Sequence, residues 1–414
     1  MYMTTLAIDF GTSNSAVALL EDGKIRRLPV EQGSDTLPTA VFFPADRGAM
    51  MIGAAAGEAL IAGEEGRYMR ALKSVLGTAL LHESRLIGGK RRTLSDIVTE
   101  FLSALRQRAE AATGQTLTRA LSGRPVHFHT NDATRDAQAE ADLRACYHAA
   151  GFTQVDFLPE PEAAALASHG LSGETGLGLI VDIGGGTSDF TVFRNDGGRP
   201  RILASHGIRL GGTDFDHAVS MAHAMPLLGL GGELRREMGE GRLPVPRAPY
   251  LDLSTWAKIP FLYAPDTRRM VADMVKMAVE PKPMQRFQTV LNEELGHDLA
   301  FAVERGKIAA NGRDGQGRID MGEIERGLTA LVTHSSLDAA LRGYRDDLRA
   351  AAAETLVMAD CAPETLDSVI LVGGSSLMQL VTDEMRALCP GAEIRTSEAF
   401  TAVVDGLALA TGDA

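Results

Sequence analysis

The chain has little cysteine, three in 414 residues, at Cys146, Cys361 and Cys389. None belongs to a Cys-x-x-Cys pair, which argues against a zinc site and against a disulfide framework. We expect buried apolar thiols in a reducing compartment. Long apolar runs are also missing: no segment reaches the roughly 18 apolar residues of a membrane span, and no basic leader precedes the first strand. These absences predict a cytoplasmic protein without a signal peptide.

Basic residues are outnumbered, 41 Lys and Arg against 54 Asp and Glu, for a net charge of −13. This balance argues against a nucleic-acid surface, and we read the densest basic spot, Lys90 to Arg92, as a solvated turn. With 45% hydrophobic residues over 414 positions, the chain is long enough for more than one core, because single cores stop growing near about 250–300 residues. At least two lobes are expected.

One short phrase occurs twice. It runs from Leu6 to Ser13 as LAIDFGTS and from Ile180 to Asp189 as IVDIGGGTSD. Each copy is an apolar strand that ends in a carboxylate, then a glycine-bearing turn with hydroxyls, then a second β-rich run. Taken singly, either turn could be an ordinary glycine hairpin. The repetition, with matching Asp and Thr positions, favours a duplicated phosphate-binding hairpin.

The chemistry of both turns fits a polyphosphate. Glycine lets backbone amides approach an anion, and Thr and Ser hydroxyls add donors. A carboxylate beside a polyphosphate is repelled unless a cation lies between them, so Asp9 and Asp182 imply Mg²⁺, held partly through water because Mg²⁺ dehydrates reluctantly. Two such hairpins that face each other would hold a nucleoside triphosphate from both sides.

Four further phrases have both a functional and a structural interpretation. Glu160 lies at the start of a helix beside Pro161, where it could simply complement the helix dipole. The Gly211-Gly212 pair precedes Asp214 and Asp216, which could be ordinary carboxylates of a first helical turn. Glu304 and Lys307, at i and i+3, could be a surface ion pair or ribose ligands. A strand, a glycine turn and a helix start at Val369 to Ser375 form a weak anion or sugar signal.

Hydrophobic periodicity predicts an α/β arrangement of alternating strands and helices. An amphipathic helix is expected from Ser95 to Ala112. The stretch from Ile52 to Leu81 is helical in pattern, and Pro125 to His129 indicates a short strand. A fully apolar strand at Val369 to Val372 should lead into a helix, and a short helix is expected at Val403 to Ala410.

Together and in this order, these phrases resemble the ATPase domain of the seventy-kilodalton heat-shock chaperones of the DnaK type. The resemblance spans about Leu6 to Ala410. Within that family the chain is most similar to the shortened, YegD-like bacterial members, as the phrases from Arg70 to Gly77 and from Ser122 to Val126 suggest. The resemblance implies the actin-like ATPase fold, with two ribonuclease-H-like lobes around a cleft that binds ATP or ADP with Mg²⁺. It places the first lobe at 1–176, with 39–120 as its peripheral subdomain and 391–414 returning to it, and the second at 177–390, with 219–311 peripheral.

The resemblance also assigns roles residue by residue. Asp9 and Asp182 would organise the metal and its waters, with Glu160 nearby, while Thr187 and Asp189 would lie near the attacking water. Lys73 resembles the family lysine that contacts the γ-phosphate, although alone it would be an ordinary helix lysine. The remaining expected ligands of the nucleotide are Gly11, Thr12, Ser13, Asn14, Gly184, Gly185, Gly186, Gly211, Gly212, Glu304, Lys307, Gly373, Gly374 and Ser375.

Several positions depart from the family pattern. Ile308 stands where the family has an arginine that faces the adenine, Asn311 replaces a serine, and Leu377 replaces the arginine that follows the final Gly-Gly-Ser. These changes predict a looser base pocket and a lower nucleotide affinity. We also expect no peptide-binding domain after Ala410.

Two functions follow from these signals. One is an ATP-binding, weakly hydrolysing chaperone-like switch that closes its lobes on ATP and reports to an unidentified protein partner or client. The other is a nucleotide-sensing regulatory or scaffold module with little hydrolysis. A sugar or acetate kinase would need its own acceptor pocket and catalytic carboxylate, and a filament-forming relative is a further alternative.

Overall fold

The computed structural model describes residues 4–31, 33–46, 48–129, 132–172, 175–197, 200–236, 239–396 and 401–413. The chain divides into two compact units, Met1–Gly212 with Asp346–Ala414, and Thr213–Arg345. The finer division into two lobes with peripheral subdomains at the boundaries given above stays a prediction.

The strands, in chain order, are β1 (Thr5–Phe10), β2 (Asn14–Glu21), β3 (Lys24–Arg27), β4 (Thr36–Pro38), β5 (Ala40–Pro44), β6 (Met51–Ile52), β7 (Gly66–Arg70), β8 (Arg85–Ile87), β9 (Lys90–Arg92), β10 (Arg119–Arg124), β11 (Gln154–Pro159), β12 (Gly176–Ile183), β13 (Ser188–Asn195), β14 (Arg201–Ile208), β15 (Glu233–Arg235), β16 (Arg242–Pro244), β17 (Gln316–Asp320), β18 (Thr329–Thr333), β19 (Ser368–Val372) and β20 (Glu393–Thr396).

The α-helices are α1 (Ala54–Ile61), α2 (Leu94–Thr113), α3 (Ala133–Ala149), α4 (Glu160–Ser172), α5 (Gly212–Val219), α6 (Ala248–Leu253), α7 (Pro265–Met277), α8 (Pro281–Asn292), α9 (Gly296–Asn311), α10 (His334–Met358), α11 (Gln379–Leu388) and α12 (Ala402–Ala410). Short 3₁₀ segments include Leu72–Val75 and Gly374–Leu377.

Two sheets of the first unit share one topology. The first has the order β11-β10-β1-β2-β3, with β4 also paired to β2, and the second has the order β14-β13-β12-β19-β20. In each, three antiparallel strands form a meander, and two later strands add in parallel beside its first strand. The duplicated phrase therefore occupies the same place in both sheets, the first meander turn. Mixed α/β content and this repeated sheet are consistent with an actin-like ATPase fold.

An apolar cluster joins the two sheets through α4 and α12. It contains small residues of β1 and β2, Ile180 of β12, Ile370 of β19, and side chains of both helices. The two helices cross closely at Gly406, since a Cβ there would overlap the backbone of Ala163. A second cluster packs α2 and α3 against β1, β2 and β10, with Phe10 and Phe101 in ring contact at 5.7 Å. The strand β1, which carries the first copy of the phrase, is thus packed between cores on both faces of its sheet.

The second unit has its own core. Tyr250 of α6 stacks on Phe287 of α8 with ring centroids 4.6 Å apart. Helix α8 begins with Pro281, a residue whose fixed φ suits a first turn. Helix α9 packs against β17 so closely that a Cβ on Gly306 would lie 2.9 Å from Ile319.

The helix predicted at Ser95 to Ala112 is confirmed as α2, whose Thr93 forms a capping box with Asp96. The strand at Val369 to Val372 and the helix at Val403 to Ala410 are confirmed as β19 and α12. The helical interpretation of Ile52 to Leu81 was wrong beyond Ile61, because the chain pairs as β7 with β5 instead. The strand expected at Pro125 to His129 was also wrong, because the β-pairing ends at Arg124.

The cysteines are free thiols. Cys146 and Cys389 are buried, which raises the pKa of both, whereas Cys361 is only half-buried. Among the parts of the chain that the structure describes, no helix combines the length and apolar character of a membrane span.

Candidate functional site

The two repeated turns lie against each other. Gly11, Thr12 and Ser13 connect β1 to β2, and Asn14 begins β2. In the second sheet, Gly184 to Thr187 connect β12 to β13, and the Gly184 amide donates to the Thr187 carbonyl at 3.0 Å. A Cβ added to Gly185 would lie only 2.6 Å from Oγ of Ser13 and 3.4 Å from Cβ of Thr12. The structure therefore brings together the two turns that the sequence predicts to grip phosphate.

Two further glycine phrases pack around the second turn. The Gly212 amide donates to the Gly184 carbonyl at 3.0 Å, and a Cβ on Gly211 would lie 2.5 Å from the Gly186 amide nitrogen. Gly373 follows β19 at a φ of +82°, where a Cβ would lie 2.8 Å from Oδ1 of Asp182. Ser375 is next to Gly212, since a Cβ at that glycine would overlap its hydroxyl. Any larger residue in these phrases would fill the space beside the turns.

Five side chains form what we call the acidic cluster: Asp9, Lys73, Glu160, Asp182 and Asp189. The parallel strands β10 and β11 end beside β1, and α4 begins at Glu160 directly after β11. Asp182 pairs in register with Asp189 across the second hairpin. Lys73, from the 3₁₀ turn after Ala71, donates a hydrogen bond to Glu160, and both side chains are largely buried.

Electrostatic coupling shows that the cluster is one unit. Burial first, and then the charges of Glu160 and Asp182, raise the pKa of Asp9 to about 8 against the opposing effect of Lys73. The pKa of Asp182 is raised well above its ordinary value by burial, then by Glu160 and Asp189. Burial would lower the pKa of Lys73, but Glu160 and Asp9 outweigh it, so that its pKa is raised. Lys73 therefore keeps its proton, while Asp9 and Asp182 stay protonated up to pH values well above those at which a carboxyl group ordinarily ionises.

Asp189 connects the cluster to a neighbouring loop. Its Oδ1 accepts a hydrogen bond from the Val126 amide at 3.2 Å. Burial, then Glu160, raises the pKa of Asp189 to about 7, while the bonds from Val126 and from the Thr187 side chain lower it. The Thr187 hydroxyl is thereby oriented by a carboxylate that is itself held by a backbone amide.

The donor set fits a divalent cation. Four carboxylates and one ammonium make up the acidic cluster, so the fully ionised cluster carries three negative charges in a buried place. Buried carboxylates that repel one another favour either protonation or a bound cation. Among the residues that the structure describes, no group of three or more His, Cys, Asp or Glu side chains converges as metal ligands. The arrangement suits an ion that keeps most of its waters, as Mg²⁺ does, and touches one or two carboxylates.

Glu304 and Lys307 lie on α9 in the second unit. The Lys307 ammonium is 2.7 Å from Oδ1 of Asp216 on α5, and both side chains are buried. Lys307 is thus a partner of Asp216, which the sequence left as a possible helix-dipole carboxylate. The assignment of Glu304 and Lys307 to a ribose stays a prediction. At the positions that depart from the family pattern, Ile308 is 60% and Leu377 43% exposed.

Sequence reasoning missed Arg124 and the Val126 amide. Arg124 is the last residue of β10 and bonds both Asp136 and Glu140 of α3. The signal was present: an Arg at a strand end, followed by two acids spaced i and i+4 on the next helix. This signal does not stand out unless one knows that the backbone amide of Val126, two residues after Arg124, donates a hydrogen bond to Asp189.

A comparison with known protein families finds a match to part of the chain. Residues 82–225, about a third of the 414-residue chain, match the family described as Hsp70 protein. The matched segment includes Glu160, the whole second hairpin and the Gly211-Gly212 pair. This match supports membership of the seventy-kilodalton heat-shock family and, in general terms, ATP binding and chaperone function.

Proposed function

We propose that this protein is an ATP-binding, slowly ATP-hydrolysing protein of the heat-shock chaperone type. One observation carries the proposal: two glycine-and-hydroxyl turns in direct contact, each preceded by a strand-end aspartate, with the aspartates joined to Lys73 and Glu160 in a single buried cluster. The match of residues 82–225 to the Hsp70 family supports it independently.

In this proposal the backbone amides and hydroxyls of residues 11–14 and 184–187 bind the phosphates. Asp9 and Asp182 hold Mg²⁺ through its waters, and the ion neutralises charge on the phosphates when bound. Lys73 adds a buried positive charge toward the γ-phosphate, and Glu160 keeps that ammonium in place. Thr187 and Asp189 orient the attacking water. Hydrolysis then needs positioning and charge neutralisation and no covalent intermediate on the protein.

The finer parts of the proposal rest on the resemblance. Glu304 and Lys307 would hold the ribose, and Gly373, Gly374 and Ser375 would line the adenosine site. Lobe closure would follow nucleotide state and be read by a client or partner protein, in the cytoplasm. The shortened, YegD-like type of the family remains the type that we propose.

The second candidate is a nucleotide sensor that binds ATP but hydrolyses little. The hydrophobic side chains at Ile308 and Leu377, where the family has arginines, favour it. The two candidates differ in one measurable quantity, the single-turnover rate of bound ATP.

The test is calorimetric titration of the purified chain with ATP and with ADP in Mg²⁺, followed by single-turnover hydrolysis. Asp182→Asn should weaken Mg²⁺-ATP binding and lower the rate by about a hundredfold or more, as removal of a group that neutralises transition-state charge does. The matched control is Asp405→Asn, since Asp405 is as buried as Asp182 but pairs with Arg27. Tight binding without turnover would select the sensor. Unchanged binding and turnover in Asp182→Asn would refute the metal assignment.

A further inference from the structure

Arg124 holds together the loop from Pro125 to His129. Its Nε donates to the carbonyl of Pro125 at 3.0 Å, and its Nη2 donates to the carbonyl of Val126 at 3.1 Å. The guanidinium lies over the Phe128 ring, 5.3 Å from the centroid. One side chain therefore contacts three residues, Pro125, Val126 and Phe128, of a loop that has no strand pairing of its own.

Helix α3 anchors this guanidinium. Arg124 Nη1 donates to Glu140 at 2.5 Å and Nη2 to Asp136 at 3.3 Å. Asp136 also accepts hydrogen bonds from the backbone amides of Phe128 and His129, at 2.5 and 3.1 Å. We call Arg124, Asp136 and Glu140 the arginine clamp. Because a guanidinium presents several donors in a rigid fork, it can serve carbonyls and carboxylates at once, which an ammonium cannot.

The clamped loop contacts Asp189 of the acidic cluster and also the end of the turn that carries Lys73. The Val126 amide donates a hydrogen bond to Asp189, which also accepts one from the Thr187 hydroxyl. The His129 Nε2 donates to the Leu76 carbonyl at 2.8 Å, at the end of the turn that carries Lys73. The loop is thus attached both to the candidate water-orienting pair and to the segment of the candidate γ-phosphate lysine.

We propose that Arg124 is a positioning residue for ATP hydrolysis: it fixes the Val126 amide against Asp189 and the His129 ring against the Lys73 turn. The role rests on the proposed function, because it acts only if the cluster hydrolyses ATP. Arg124 acts through the Val126 amide on the pair that orients the attacking water, Thr187 and Asp189, and has no contact with the nucleotide in this proposal. We therefore expect its main effect on the rate of the chemical step, with only a small change in nucleotide affinity.

The test replaces Arg124 by Gln. A cavity of about 580 Å³ lined by Arg124, His127, Asp136 and Glu140 opens beside the clamp, so the shorter side chain creates no sealed void. The control is Arg106→Gln, because Arg106 likewise donates to a backbone carbonyl, that of Gly151, and lies over an aromatic ring, that of Phe152. Each variant is measured for Mg²⁺-ATP affinity, single-turnover hydrolysis, and hydrogen exchange of the Val126 amide in the ligand-free chain.

In Arg124→Gln we expect hydrogen exchange of the Val126 amide to be at least about tenfold faster and the single-turnover rate of hydrolysis to be about tenfold lower. The Kd for ATP should stay within about twofold of the native value. Arg106→Gln should match the native protein in all three measurements. Native protection of Val126 in Arg124→Gln would overturn the proposal, and so would faster exchange with an unchanged rate. If the native chain binds ATP but does not hydrolyse it, the proposed function and the role of Arg124 in hydrolysis are both refuted. The native chain is measured before any variant, so this outcome is distinguished from a failure of the Arg124 proposal alone. If Arg124→Gln does not fold, Arg124→Lys replaces it, with the same readouts and expected directions.

Discussion

Lys73 and Glu160, 87 positions apart in the chain, form a buried ion pair between a 3₁₀ turn and the first residue of a helix. Each partner also acts on the three aspartates of the acidic cluster: Glu160 raises the pKa of all three, and Lys73 lowers it. The pair therefore sets the charge balance of the whole site before any ligand is bound.

Lys73→Met should lower the free energy of unfolding at pH 7 by about 3 kcal/mol, because it leaves a buried carboxylate without its partner. Adding Glu160→Gln to the same chain should recover about 1–2 kcal/mol, since the unpaired charge is removed. Urea unfolding of the two single variants and the double variant gives the coupling energy. A coupling energy of zero would contradict the ion pair.

The ligand-free protein should lose stability as the pH rises toward 8. The pKa of Asp9 is about 8 in the folded chain against 3.8 ordinarily, so between these values the folded state holds a proton that the unfolded state has released. That contribution is fully present below pH 3.8 and is lost as the pH rises through 8. Asp9→Asn should make this decline shallower but not abolish it, because the pKa values of Asp182 and Asp189 are raised as well. The measurement is denaturant unfolding from pH 5 to 9 without Mg²⁺ or nucleotide.

The control for that pH series is Asp266→Asn, whose side chain is 88% exposed on α7. It should leave the decline unchanged. Equal slopes in Asp9→Asn and in the native chain would show that another group is responsible.

The crossing of α4 and α12 depends on a missing side chain. Gly406→Ala should destabilise the chain by about 3 kcal/mol, because its Cβ would overlap the Ala163 backbone and force the helices apart. Gly57→Ala in α1 is the matched control, since nothing lies within 4 Å of a Cβ there. It should stabilise by about 0.5–1 kcal/mol through helix propensity. Thermal and urea unfolding measure both, and a neutral Gly406→Ala would refute the close crossing.

If Ile308 stands where an adenine-facing arginine belongs, Ile308→Arg should tighten ATP binding about fivefold, the equivalent of about 1 kcal/mol for a cation over an aromatic face. GTP and a non-nucleotide triphosphate serve as comparison ligands in the same calorimetric titration. Val357→Arg, at a side chain 78% exposed on α10, controls for the added charge. Equal tightening in both variants would attribute the gain to general attraction and remove the base-pocket assignment.

The short motifs could be predicted without a structure because the residues that define each of them are close together in the chain. A strand, an aspartate and a glycine turn are specified within about ten residues, so both hairpins were found. The amphipathic pattern of α2 predicted that helix to within one residue at each end. The stretch from Ile52 to Leu81 was misjudged for the converse reason. Alanine-rich sequence has helical propensity, but pairing of β7 with β5 outweighed it.

The sequence by itself determined the duplicated hairpins, the strand-end aspartates and the negative balance of charge, because these depend on residue type and short spacing. Only the tertiary structure decided that Lys73 pairs with Glu160, that Lys307 pairs with Asp216, and that Arg124 clamps the loop that holds Asp189. Lys73 and Glu160 are 87 positions apart in the chain, and the Val126 amide is 63 positions from Asp189. Such pairings form where separate strands and helices end together, and burial there makes each charge depend on its partner for stability.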